Sequence, residues 1–190
     1  MEFRNLNANE IECRVAQVWE KDGLPTNLSL LLYKTARVDA QILDETVGKE
    51  NWQCRFYELK NNLYCSVGIN FPMQIDGKLV DRWIWKDDCG TESNMEKAKG
   101  EASDAFKRAC ATKWGLGMEL YTAPFIYIDA TIKYDSKNKL KYWYRNNNGK
   151  YATKEQYRVK HIKVIKGEIV ELIIYNDTTN QDVYVYGVKK

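Results

Sequence analysis

In residues 8–21 the apolar positions Ile11, Val15 and Val18 stand at helical spacing with charged residues between them, which predicts a short N-terminal amphipathic helix before the break at Gly23. The stretch 35–47 puts Val38, Ile42 and Leu43 on one helical stripe and stops at Gly48, predicting a second helix. From Trp52 the period shortens to two. The segments WQCRFYEL, LYCSVGINFPMQI and LVDRWIWKD read as strands, with Asp76-Gly77 as the turn of a hairpin, so an antiparallel meander is expected.

The strongest helical pattern runs from Ser93 to Gly115. Ser93 and Glu96 have capping-box spacing, and Met95, Ala98, Ala102, Ala105, Phe106 and Ala109 gather on one face. An Ala-rich face lets a helix approach a sheet closely, so the expected fold class is α+β. We expect an antiparallel β-β-β-α core with the long helix packed on the sheet, an N-terminal helix and a C-terminal β extension. After Pro124 come FIYIDATIKY, a polar tip at 146–149 and a short helix candidate near TKEQYR. Three alternating segments follow, YRVKHIKVI, GEIVELIIYN and DVYVYGV. The division expected from this pass is 1–124 for the core and 125–190 for a basic, aromatic β-rich extension.

Composition sharpens the picture at a few points. With 190 residues and 44% hydrophobic content the chain is long enough for a well-formed core. No run of about 18 uncharged apolar residues occurs, so no membrane partner is expected and the protein is expected in the cytoplasm. The cysteines Cys13, Cys54, Cys65, Cys89 and Cys110 are scattered and lack a C-x-x-C pair, which fits reduced thiols better than a disulfide framework or a zinc site. The net charge of +3 conceals an asymmetry: residues 131–190 hold 13 Lys and Arg against 6 Asp and Glu, and residues 1–130 hold 16 against 20. Nine aromatics interleave with that basic tail, and cations with aromatic faces suit phosphates and bases. A solvated β surface is the plainer reading of the same composition.

Candidate chemistry is sparse. The chain has no Gly-x-x-x-x-Gly-Lys-Ser/Thr loop and no Gly-x-Gly-x-x-Gly, so nothing reads as a nucleotide-driven motor, and no cofactor is expected. His161 is the only histidine, which removes multi-histidine metal sites; it reads as a surface residue beside Lys160 and Lys163. Asp44 with Glu58 and Lys60 has the residue types of a metal-dependent nuclease, the alternative to a non-enzymatic protein, although so short a triplet arises by chance and Asp44 falls on a helix. Asp87, Asp88 and Glu92 precede the long helix and are expected to oppose its positive end.

The segment KGEASDAFKRACATKWGLGMELY at 99–121 resembles the signature helix of the Rad fifty-two family of single-strand annealing proteins, particularly its phage members. Upstream, ARVDAQILDETVGKENW at 36–52 resembles the family's helix and Gly-x-x-x-Trp segment, and residues 65–88 resemble its central hairpin. The resemblance covers residues 30–122. It implies single-stranded DNA as partner, bound without sequence preference, and ATP-independent annealing by a homo-oligomer, ring or helical filament. It also implies a phage or prophage origin in a bacterial host cell, with the host single-strand-binding protein as a further partner. By position in the motif, Lys107 and Arg108 take the place of the family's DNA-contacting Lys-Arg pair. Arg37 matches an arginine of the family's preceding helix segment and Lys99 a basic position of its signature helix, and the resemblance implies DNA contact for both and for Lys49, although some family members place an aromatic where Lys49 stands. Ala111 stands where some members carry another arginine. The tail after residue 125 does not align.

Overall fold

The computed structural model describes residues 1–90 and 97–188. In chain order the strands and helices are β1 (Glu12–Lys21), β2 (Leu24–Tyr33), α1 (Ala36–Val47), β3 (Trp52–Leu59) and β4 (Asn62–Asn70). Next come β5 (Met73–Ile75), β6 (Lys78–Val80), β7 (Trp83–Cys89) and α2 (Lys97–Arg108). The last third holds β8 (Ile126–Asp129), β9 (Trp143–Arg145), β10 (Tyr151–Thr153), β11 (Tyr157–Ile165), β12 (Glu168–Asn176) and β13 (Gln181–Tyr186). The fold is mixed α and β with antiparallel sheets, and it divides into two compact units: residues 1–5 with 34–118, and residues 6–33 with 119–190.

The first unit contains both helices and a three-stranded sheet ordered β3-β4-β7. The turn at Asp76-Gly77, both at positive φ (49° and 74°), closes the separate β5–β6 ribbon rather than a strand of the meander. Central β4 carries Cys65, Val67 and Ile69 into the core, where Ile42, Leu43, Ala105 and Ala109 are also fully buried. Burying a side chain such as Ile42 or Leu43 stabilises by about 2 kcal/mol. The Trp52 indole donates to Asp44 Oδ1 at 2.7 Å, tying α1 to β3, and its ring lies 6.0 Å from that of Phe106 of α2. Gly90 makes room for α2, since a Cβ there would stand 2.4 Å from the Glu101 carbonyl oxygen.

In place of one unbroken helix to Gly115, α2 ends at Arg108 and a π-helical turn over Ala109–Lys113 follows. The expected cap at Ser93 and Glu96 lies outside the described residues. So does Glu92.

The second unit is a six-stranded antiparallel sheet ordered β13-β12-β11-β1-β2-β8. It curls until its edge strands meet, and the Tyr184 hydroxyl of β13 donates to the Phe125 carbonyl beside β8 at 3.4 Å. Leu28, Leu30, Ile126, Ile128, Val159, Leu172 and Ile174 fill its core. A polar knot completes it: buried Glu155 accepts from Asn176 Nδ2 at 3.0 Å and from the Tyr157 hydroxyl at 2.9 Å. Burial and the Glu155 carboxylate push the Tyr157 hydroxyl up from its ordinary value.

The expected N-terminal helix is therefore a strand. Ile11, Cys13 and Val15 do alternate, and the register of β1 against β2 shifts between Val15 and Gln17. That bulge inserts one residue, so the next inward position after Val15 is Val18 and not Gln17, where strict alternation would put it, and a spacing of three imitates a helical repeat. Asp22 and Gly23 at positive φ close the hairpin. The C-terminal strands are not an appended sheet, because β11–β13 continue the sheet begun by β1 and β2. No helix forms near 153–158, where β10 and β11 are separated by three residues.

Candidate nucleic-acid interface

Helix α1 places two of the expected cations. Arg37 lies in its first turn and Lys49 follows Gly48, whose φ of 88° ends the helix; both Arg37 and Lys49 are exposed. Asp39 of the same helix is buried and paired with buried Lys34. Burial outweighs the attraction of Lys34 and the more distant charge of Lys107, and pushes the Asp39 carboxyl up to about 6. Lys99 belongs to α2, but its side chain lies outside the described residues.

At the end of α2 the expected Lys-Arg pair parts company. Lys107 Nζ stands 3.8 Å from Asp104 on its own helix. Arg108 Nη2 stands 3.4 Å from Asp88 Oδ1 of β7, and its Nε is buried without a hydrogen-bond partner. Asp88 is thus turned to the C-terminal end of α2 rather than to the start expected for it. It also accepts from the Thr112 hydroxyl at 2.5 Å and from the Cys89 amide at 2.8 Å, and Lys113 lies at 3.9 Å. Burial works to raise the Asp88 carboxyl, yet the two hydrogen bonds and the Arg108 and Lys113 charges prevail and hold it below its ordinary value.

The π-helical turn explains how Arg108 and Lys113 reach one carboxylate. On an unbroken α-helix they would point about 140° apart. The wider turn brings both to Asp88. Lys86, two residues before Asp88 on the same face of β7, donates to the Lys113 carbonyl at 2.7 Å and rests 4.1 Å above the Trp114 ring. Two cations, Arg108 and Lys113, therefore meet one acid, and a third, Lys86, lies beside them against the Lys113 carbonyl and the Trp114 ring. Of these the sequence reading found only Arg108. Period-two pairing of Lys86 with Asp88 was a usable signal; the shifted phase of Lys113 was not.

The opposite face of the sheet bears a second arrangement that the sequence reading missed. Trp83 and Trp85 alternate on β7 with ring centroids 6.0 Å apart, and the Arg55 guanidinium of β3 lies 4.0 Å over Trp85. Trp85 can lie flat across β4 because residue 68 is glycine; a Cβ there would come within 2.6 Å of the ring. Tyr57 and Tyr64 stack at 5.5 Å beside them. Aromatic faces with a guanidinium among them can stack on bases of any identity.

The nuclease constellation does not assemble. Asp44 is engaged by the Trp52 indole, Glu58 is an exposed residue of β3, and Lys60 sits in the β3–β4 turn at a φ of 52°. Among the described residues no group of three His, Cys, Asp or Glu side chains could hold a metal ion. Nor is any described helix long and apolar enough to cross a membrane. The five cysteines are free thiols, and His161 Nε2 lies 2.9 Å from Glu171. No family model, curated protein or solved structure matches this chain.

Proposed function

We propose that this protein binds single-stranded DNA without reading its sequence and anneals complementary strands as a non-enzymatic, self-assembling recombination protein. The observation that carries the reading is the cationic group at the end of α2, where Arg108 and Lys113 share the carboxylate of Asp88 and Lys86 bonds the Lys113 carbonyl beside them. An anionic strand can take the place of water around the two surplus charges, and phosphate contacts of this kind hold a backbone while leaving bases unread. The aromatic and arginine ladder on the sheet supports the same reading, since stacking tolerates any base. On this reading Arg37, Lys49, Lys99 and Lys107 extend the cationic track, and the core is the β-β-β-α arrangement with α2 lying on β3, β4 and β7.

Self-assembly into a ring or helical filament has its own support. Edge strand β3 exposes both faces, including Phe56 and Leu59, and the β5–β6 ribbon exposes Met73, Ile75, Leu79 and Val80. An open edge and a contiguous apolar ribbon are features that monomers avoid and interfaces use. A phage origin, a bacterial cytoplasm and a host single-strand-binding protein as further partner belong to the same proposal through the resemblance to the Rad fifty-two family.

The test is pairing of complementary fluorescent oligonucleotides with EDTA present and ATP omitted. The protein should accelerate pairing well beyond the spontaneous rate and show strong salt dependence. An absence of binding to unpaired oligonucleotides in dilute buffer overturns the reading.

A further inference from the structure

The basic excess of the last third is not spread over its sheet. On β11 and beside it, Arg158 pairs with Asp177, Lys160 with Asp182, and Lys163 with Glu171, each at 2.8 Å. The surplus lies instead in residues 131–154, between β8 and β11, which hold seven Lys and Arg and one acid. That acid, Asp135, is occupied by its own loop, where it accepts from the backbone amides of Lys137 and Lys139, both at 2.9 Å. Of the seven cations only Arg145 forms an ion pair among the described residues, with Glu20 at 3.1 Å.

This segment folds as two successive hairpins. In the first, Tyr134 bridges to Leu140, and the Lys141 amide donates to the Lys133 carbonyl at 2.8 Å. Lys133 and Lys141 are therefore the next cross-strand pair, two like charges facing each other, an arrangement that costs stability unless an anion intervenes. In the second, β9 and β10 pair around the tip at 146–149, with Tyr144 opposite Ala152. Both hairpins are held firmly. Tyr142 and Trp143 are buried between them, the Trp143 indole donates to the Thr131 carbonyl at 3.0 Å, and the Tyr151 hydroxyl donates to the Gly23 carbonyl at 2.7 Å. Tyr134 and Tyr144 remain about half exposed, at 51% and 47%.

We infer that these two hairpins form a second binding surface for single-stranded nucleic acid, separate from the α2 cations. Lys133, Lys137, Lys141 and Lys150 meet phosphates, and Tyr134 and Tyr144 stack on bases. The inference rests on the proposed function. Hairpins anchored through Trp143 and Tyr151 lose less freedom on binding than an unstructured tail would, and a second grip on one chain raises the effective concentration of strand at the first.

The test uses the full chain in salt-titrated binding to a fluorescent oligonucleotide, with three variants whose folding is verified by circular dichroism. Lys133→Gln/Lys137→Gln/Lys141→Gln should weaken binding by about tenfold and flatten the slope of log K against log salt by about 2, at roughly 0.7 per lost phosphate contact. Tyr134→Ala/Tyr144→Ala should weaken oligonucleotide binding by about fivefold or more while leaving a sulfated polysaccharide bound as before. Lys107→Ala serves as the reference for the other site. If the wild-type chain binds no oligonucleotide, the proposed function fails and this inference with it. If the wild type binds and both hairpin variants match it in affinity and slope, the inference alone fails. Weakening of the lysine variant alone, equal for oligonucleotide and sulfated polymer, also overturns it.

Discussion

Replacing Lys107 and Arg108 one at a time by alanine separates grip from scaffold, because the structure gives the two neighbours different duties. Among the described residues Lys107 has one ion pair, at 3.8 Å to Asp104, and both side chains are about a third exposed. A pair of this kind contributes within about 0.5 kcal/mol, so Lys107→Ala should melt within a degree or two of wild type. Arg108 reaches Asp88, whose side chain is 11% exposed, but is itself 39% exposed, so solvent weakens the pair. Asp88 keeps the Thr112 hydroxyl, the Cys89 amide and Lys113 after the change. Loss of the pair and of the packed arginine stem should cost about 1 to 2 kcal/mol, which for a chain of this size lowers Tm by roughly 2 to 8 °C. In binding, each variant should flatten the salt slope by about 0.7 if its residue meets one phosphate. Calorimetric melting and fluorescence anisotropy on the same preparations read both quantities. Wild-type affinity and slope in both variants would refute the phosphate role, and a Lys107→Ala Tm as low as that of Arg108→Ala would refute the division of duties.

Three further outcomes follow from other parts of the molecule. Asp39 is raised in the folded chain from 3.8 to about 6, so it holds its proton more tightly folded than unfolded; its contribution is fully present below about 3.8 and is lost as pH rises through about 6. Relative to Lys34→Met/Asp39→Leu, which removes both charges, wild type should gain about 2 to 3 kcal/mol between pH 7.5 and pH 4 in urea unfolding, and a flat difference refutes it. The Cys54 thiol is pulled down to about 7 by the neighbouring Cys65 thiol, whereas burial pushes Cys13 up to about 12. Iodoacetamide at pH 7.5 should therefore modify Cys54 well before Cys13 by peptide mass mapping. Ile75→Asp/Leu79→Asp, on the exposed ribbon, should shrink the assembly seen by mass photometry without lowering Tm; an unchanged mass removes the ribbon from the interface.

Much of the first unit was legible because its signals are local. Helix α1 stops at Gly48 and strand β3 spans Trp52–Leu59, as alternation and a glycine stop require. The second unit was harder for a physical reason. Its sheet joins β1 and β2 to strands more than a hundred residues away, through a pairing of β1 with β11 at Glu12 and Arg158 that no local period encodes. The bulge at β1 then disguised the only local clue. At the candidate interface, the neighbouring Lys107 and Arg108 were visible, but their divergence and the arrival of Lys113 depend on a π-helical turn that leaves no mark in hydrophobic spacing.

That turn bears on how an annealing protein could work at all. A strand held by unopposed cations would be gripped too firmly to exchange, and one held by fully paired cations would not be gripped. At the end of α2 Asp88 meets Arg108 and Lys113 with Lys86 beside them, whereas in residues 131–154 Arg145 pairs with Glu20 and the segment's one acid, Asp135, is already bonded to its own loop, leaving six lysines unopposed by an ion pair among the described residues. On the proposed reading, the α2 group is the tempered contact and the hairpins the stronger one. The two should then respond differently to salt: raising ionic strength should release the α2 group first, leaving strands tethered through the hairpins while their bases search for partners.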